Sequence, residues 1–200
     1  VDLGHYGDVS VTTLTSVSSL TFSNAASITT LLVDNLASGD LGTFNYPLAT
    51  SIILGDISLG TTVTATLATV FTSGFDGTLT SLSLKVSGTA VVRMSATKIT
   101  GVVTITGADG TGSEGHFAEL TTIATGGSLV NPAKAVDFTS LATVSGTLTV
   151  GGVTAASFPA LATQGSTGPI SVGSAMSFSA PLLKSGALIT TVPPATIELL

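Results

Sequence analysis

With 200 residues, 44% of them hydrophobic and only 8% charged, the chain is long enough for one domain with a sizeable core. It is also too apolar for intrinsic disorder. Eleven acids against five bases leave a net charge of −6, which argues against a nucleic-acid partner. The absence of cysteine excludes disulfides, thiolate metal sites and cysteine nucleophiles. No apolar run approaches the roughly 18–20 residues of a membrane span, and two Tyr with no Trp leave little for the aromatic girdles of an outer-membrane barrel.

Thr, Val and Ile favour strands and Gly marks turns, whereas the helix formers Glu, Lys and Arg are scarce, so the sequence reads as all-β. Its organising feature is a four-residue phrase of aliphatic, Thr or Ala, Thr or Ser, aliphatic, with some looser matches. It starts at Leu14, Ile28, Leu48, Leu67, Leu79, Ile99, Leu120, Leu141, Leu161 and Leu182 and returns about every 20 residues. Such a period marks an array in which each repeat buries its apolar face against its neighbours. The prediction is a single domain over residues 1–200: a β-solenoid (β-helix) of about 20-residue coils, roughly eight to ten of them, with no significant helix. Coils are irregular over 1–80 and regular over 80–200, and the whole reads equally as a segment of a longer array.

The steps from Leu14 to Ile28 and from Leu67 to Leu79 are too short for a coil, and predict an accidental match or a truncated coil. Phe71 and Phe75 beside Gly74 and Gly77 predict a local excursion from Val70 to Thr78, and Gly107 to His116 reads as a Gly-rich loop inserted before Phe117. Phe44 to Leu48 resembles Phe178 to Leu182 and extends the repeat across the chain. Phe117, Phe138 and Phe158 each stand three residues before the phrase, and Phe178 stands four before Leu182. They predict an interior Phe ladder beside an aliphatic one. Leu148 to Val150 alternates as a half-buried strand between turns at Gly146 and Gly151-Gly152, and a second short strand leads to Phe158. The apolar finish at Ala195 to Leu200 has no polar cap, which points to an array that continues or to a subunit covering the end.

Catalytic candidates are missing from this pattern. His5 and His116 are far apart in sequence and no serine sits in a G-x-S-x-G turn, so no nucleophile–base pair can be named. Asp109, Glu114 and His116, with Glu119 close by, form the densest group of metal-capable side chains. In a Gly-rich loop they suit a Ca²⁺ ion, and the alternative is a solvated loop. Asp34, Asp40, Asp56 and Asp76 are dispersed and read as turn positions. No phosphate-binding loop, dinucleotide fingerprint or N-glycosylation sequon occurs, so no organic cofactor is expected.

The repeat Phe-x-x-Leu-Ala-Thr-Val-x-Gly-x-Leu-x-Val, clearest over Phe138 to Val150 and again over Phe158 to Val172, resembles the Leu-rich-like repeats of microbial surface proteins, of the adhesin and receptor-L type. It covers about the last 100 residues. The Asn ladder of leucine-rich repeats is absent, which favours a compact β-helix over a horseshoe. The resemblance implies surface display, adhesion or scaffolding and carries over no catalytic residue.

The resulting expectation is a non-enzymatic structural or adhesive protein of the cell surface or extracellular space, a self-assembling filament or stalk subunit joined through its solenoid ends. It has no nucleic-acid partner and no membrane insertion. The start at Val1 without a signal peptide fits a processed exported chain and fits an excised fragment as well. Two alternatives remain. One is ice or carbohydrate recognition by a Thr-rich face, for which Thr104-Ile-Thr106 and Thr147-Leu-Thr149 are the motivating segments. The other is a polysaccharide-active β-helix enzyme, which needs a groove of acids, bases and aromatics.

Overall fold

The structure, a computed structural model, describes residues 7–11, 27–33, 43–45, 51–54, 60–64, 70–73, 77–151, 155–165, 168–173, 177–183, 189–192 and 196–199. These form an all-β solenoid of stacked parallel strands with no α-helix among them. Among the described residues no helix is long and apolar enough to cross a membrane.

One face is a sheet of seven strands, Gly7–Val11, Ile28–Val33, Ser51–Leu54, Val70–Ser73, Val91–Met94, Glu114–His116 and Ala135–Asp137, each paired in parallel with the next. A second, eleven-stranded sheet carries Thr43–Asn45, Gly60–Thr64, Thr78–Lys85, Lys98–Thr106, Ser128–Asn131, Thr147–Val150, Ile170–Gly173 and Ile189–Val192 in succession. Its short strands Thr122–Ile123, Thr143–Val144 and Thr163–Gln164 stack beside them. A third sheet holds Ala155–Ser157, Ser177–Ala180 and Thr196–Leu199. The longest run of one strand per coil among the described residues is eight.

Alternation of side chains decides what is buried. Ser128–Asn131 and Thr147–Val150 share the pattern half-buried, buried, half-buried, buried, as period two requires for strands with one face on the core. Inward positions form columns. Leu31, Ile52, Phe71 and Val92 stand in one register on the first sheet, and Leu82, Val103, Leu129, Leu148 and Ile170 in one on the second, all fully buried.

The expected Phe ladder is present. Phe117 and Phe138 stack with centroids 5.2 Å apart at 12°, and Phe138 and Phe158 at 5.5 Å and 21°. Phe158 and Phe178 are 5.4 Å apart but tilted by 37°. The tilt has a structural cause. Phe178 pairs in register with Ala156, so the partner of Phe158 is Ala180. Ala-x-Phe in one coil becomes Phe-x-Ala in the next, so the Phe178 ring meets Phe158 from a register two residues away. The same shift corrects the aliphatic ladder. Each Phe closes a turn in which the amide of the Leu three residues on donates to its carbonyl, at Leu120, Leu141 and Leu161 (3.0, 3.3 and 3.2 Å), and the equivalent turn runs from Ala180 to Leu183 at 3.0 Å. Leu183 is buried, and Leu182 is 56% exposed.

The four-residue phrase is not a single column. At Leu48 and Leu67 it leads into the first sheet, at Ser51–Leu54 and Val70–Ser73, whereas at Leu120, Leu141 and Leu161 it leads into the second. Leu79 and Ile99 share a register with Ile123, the fourth residue of a later phrase. The 12-residue step from Leu67 to Leu79 is thus a change of face. The same words recur because any half-buried strand entered from a corner has the same alternation. The predicted excursion from Val70 to Thr78 is overturned at its start: Val70–Ser73 is a regular strand whose Phe71 lies in the core. Phe44 and Phe178 belong to different sheets, so their segments are not equivalent. The step from Leu14 to Ile28 begins outside the described residues, as do His5, Asp34, Asp40, Asp56 and Asp76.

Two polar features of the stack make predictions. Asn131 is fully buried in a column whose next members are Val150 and Val172. Its Oδ1 accepts from the Ala133 amide at 3.2 Å, while Nδ2 has no partner. Gly115 makes the room, because a Cβ there would overlap Asn131 Nδ2 and come within 3.0 Å of the Phe117 ring. Gly115→Ala is expected to destabilise by about 1–3 kcal/mol, and Asn131→Ala in the same chain to recover at least about 1 kcal/mol of that, a coupling read by a double-mutant cycle in urea. Additive losses would contradict the shared space.

At the other end of the first sheet, Asp8 Oδ1 accepts from the hydroxyls of Thr30 and Thr29 on the next strand. These hydrogen bonds, Thr30 first, hold its carboxyl below the ordinary carboxylate range. A lowered folded value means that the contact stabilises above the unfolded pKa and is lost as pH falls through the folded one. NMR titration is expected to place the Asp8 midpoint below that of a free Asp, and Thr30→Val to move it upward.

Candidate functional site

The described surface is poor in charge, and Arg93, Glu114, Glu119 and Asp137 lie close together on it, apart from Asp8, Lys85, Lys98, Asp109 and Lys134. On the first sheet Val92 and Met94 point inward, which turns Arg93 outward. Parallel pairing then sets Arg93, His116 and Asp137 side by side on three successive coils, at the roughly 4.8 Å spacing of neighbouring strands. Glu114, two residues before His116, faces the same side, and its Oε2 lies 2.8 Å from His116 Nε2. The two side chains are 46% and 38% exposed respectively. The Asp137 carboxylate is oriented by the Thr139 amide, which donates to it at 3.2 Å.

Beside this row the Phe117–Leu120 turn brings Ala118 and Glu119 to the corner. Arg93, Met94, Ser95, His116, Ala118, Glu119 and Asp137 line an open groove of about 220 Å³. The groove combines one guanidinium, one imidazole, carboxylates, a hydroxyl and the apolar edge of Ala118. It offers hydrogen-bond donors and acceptors side by side.

Of the metal-capable residues expected from the sequence, the structure joins Glu114 to His116 and sets Glu119 at the rim of the same groove. Asp109 is exposed on the preceding loop, its Oδ1 close to Gly88. That loop is anchored to its neighbour coils. Gly110 donates to the Gly88 carbonyl, Ser113 is buried with its hydroxyl bonded to the Gly110 carbonyl and the Lys134 amide, and Glu114–His116 is a strand. Among the described residues no three His, Asp or Glu side chains are placed to hold a metal ion.

Ser95, His116 and Asp137 are residue types of a hydrolytic triad. Here His116 Nε2 faces Glu114, and no hydrogen bond joins His116 to Ser95. Arg93 and Asp137 are the members that sequence reading missed. They stand 23 and 21 residues from His116, and only the coil register brings the three together.

The second sheet supplies the other regular surface. Its register aligns Thr43, Thr62, Ser83, Thr104, Val130, Thr149, Ser171 and Thr190 in one row. The neighbouring row places Val102, 58% exposed, beside Ser128 and Thr147. The two T-x-T segments therefore meet in only one row, through Thr104 and Thr149. No family model, characterised protein or solved structure matches the chain.

Proposed function

We propose that the chain is a non-enzymatic structural and adhesive module of a cell surface or extracellular assembly: a stiff coil stack that displays side chains at fixed spacing and associates with further copies along its axis. The observation that carries this reading is the in-register stack itself. Weakly charged rows of Ser and Thr cover a core that is continuous from coil to coil. A parallel ladder is extended by any strand that pairs with its free edge, and an outer surface with few charges offers little repulsion against that contact. Sedimentation velocity over a hundredfold concentration range is expected to show species growing in whole multiples of the monomer mass. A single monomeric species at every concentration would sink the self-association part of the proposal.

The hydroxyl row through Thr104, Thr149 and Ser171 favours one second reading, recognition of ice or of a carbohydrate by the Thr-rich face. For ice, Thr149→Val is expected to lower thermal hysteresis. A chain without hysteresis disposes of that version.

A further inference from the structure

We infer that the corner groove between Arg93 and Asp137 is a binding site for one unit of a neutral saccharide, distinct from the Thr-rich face. This deepens the adhesive reading above and rests on it.

Three of the chain's acidic and basic side chains (Arg93, Glu119 and Asp137) and its one described histidine line this single groove, with Glu114 bonded to that histidine. Elsewhere the described outer rows are mostly small or hydroxylated. On such a surface a charge cluster is a local exception that the stack does not need. The core columns lie on the opposite side of the same strands, and Arg93 forms no ion pair among the described residues.

The chemistry of the lining selects the ligand class. A guanidinium offers N–H donors in a fixed plane, and carboxylates accept two bonds each. Adjacent hydroxyls of a sugar ring act as donor and acceptor together, so a planar carboxylate or guanidinium engages two of them at once. Ala118 at the corner supplies the apolar contact for the C–H face of such a ring, while the Met94 side chain turns inward beneath the groove.

Three competing ligands fit less well. An anion would meet Arg93 but also the carboxylates of Glu119 and Asp137. A metal ion lacks a set of three ligands among the described residues. A long apolar ligand has too little apolar lining. The volume of about 220 Å³ lies below the roughly 300–1,000 Å³ of sites for drug-sized molecules, which limits the contact to about one ring. The fixed frame is a further argument. Three of the polar groups project from paired strands, and the Asp137 carboxylate is oriented by a backbone amide before any ligand arrives.

The test is an NMR titration of the full ¹⁵N-labelled chain with maltohexaose, cellohexaose, mannohexaose, chitohexaose, trigalacturonate and glycylglycine. At least one neutral oligosaccharide is expected to shift the amide signals of Arg93, Ser95, His116, Ala118 and Glu119 with millimolar affinity. Arg93→Ala and Asp137→Asn are each expected to weaken that binding at least tenfold, with an unchanged far-UV spectrum, and Thr149→Val to leave it unaltered. The inference is overturned if none of the four neutral sugars shifts these signals. It is also overturned if only trigalacturonate does, which marks an anion site, or only glycylglycine, which marks a site for peptide ends. Sensitivity to Thr149→Val without sensitivity to Arg93→Ala would move the site to the other face. Self-association of the Arg93→Ala chain, measured in parallel, separates the two proposals: lost sugar binding with intact assembly supports this site, and lost assembly with intact sugar binding bears on the structural reading alone.

Discussion

Phe138→Ala is expected to cost about 3–5 kcal/mol, the range for truncating a buried aromatic ring. Phe138 is the middle ring of the ladder, packed between Phe117 and Phe158 at 5.2 and 5.5 Å and buried from solvent. Its removal takes two stacking contacts at once, and the cavity is walled by the two rings that remain. Relaxation is limited because the Leu141 N–H closes the adjoining turn by donating a hydrogen bond to the Phe138 carbonyl.

The location of the damage follows from the architecture. Each coil touches only its neighbours, so stability is close to a sum of coil and interface terms. The loss should therefore concentrate in the coils around residues 117–158, and hydrogen exchange should show lowered protection there while Leu31 and Ile52 keep theirs. Phe178→Ala serves as the comparison. Its ring is tilted and stacks on one partner, so a smaller loss is expected in the same urea titration.

Gly146→Ala is the second large effect, with an expected loss of about 3 kcal/mol, at the upper end for overpacking. The bends before Ser128–Asn131, Thr147–Val150 and Ile170–Gly173 carry a column of glycines, Gly127, Gly146 and Gly168. A Cβ on Gly127 would stand 2.7 Å from the Ile99 carbonyl oxygen. On Gly146 it would overlap the Gly127 carbonyl, and on Gly168 the Gly146 carbonyl. The obstructing atoms belong to the backbone of the preceding coil, which also binds the chain through the Thr147 amide to the Gly127 carbonyl at 2.9 Å. A side chain could rotate away, but a ladder carbonyl cannot move without opening the stack. Gly112→Ala is the control. Nothing lies within 4 Å of its added Cβ, and a change within about 0.5 kcal/mol is expected.

These two predictions rest on features that differ in how far the sequence revealed them. The Phe ladder was legible because Phe117, Phe138 and Phe158 recur at nearly constant spacing, and a repeated large side chain in a weakly charged array has few places to go except the axis. The turn at Gly146 was legible for the same reason. Phe178 was legible as a ladder member, but its register was not, because the swap of Phe and Ala between adjacent coils keeps the composition and the approximate spacing while moving the register by two. Leu182 was misplaced with it, since two consecutive leucines follow Pro181 and only the turn from Ala180 shows which faces inward. The phrase itself misled in the first 80 residues because the entry to either sheet is written in the same words.

The groove shows the limit most clearly. Glu114 and His116 are two residues apart and point to the same side of one strand, so their meeting at 2.8 Å is a local fact that the sequence contains. Arg93 and Asp137 join them through coil steps of different length. An inserted loop anchored by Ser113 absorbs the difference. A fixed period cannot find that partnership.

The central claim is that in-register coils form one stiff axis along which further copies add. Electron cryomicroscopy of the full chain at the highest soluble concentration tests it most directly. Particles elongated along a single axis, with coils repeating at about 4.8 Å and copies joined end to end in the same register, are the predicted result. Isolated single copies, or copies associated side by side with their axes unaligned, would contradict it.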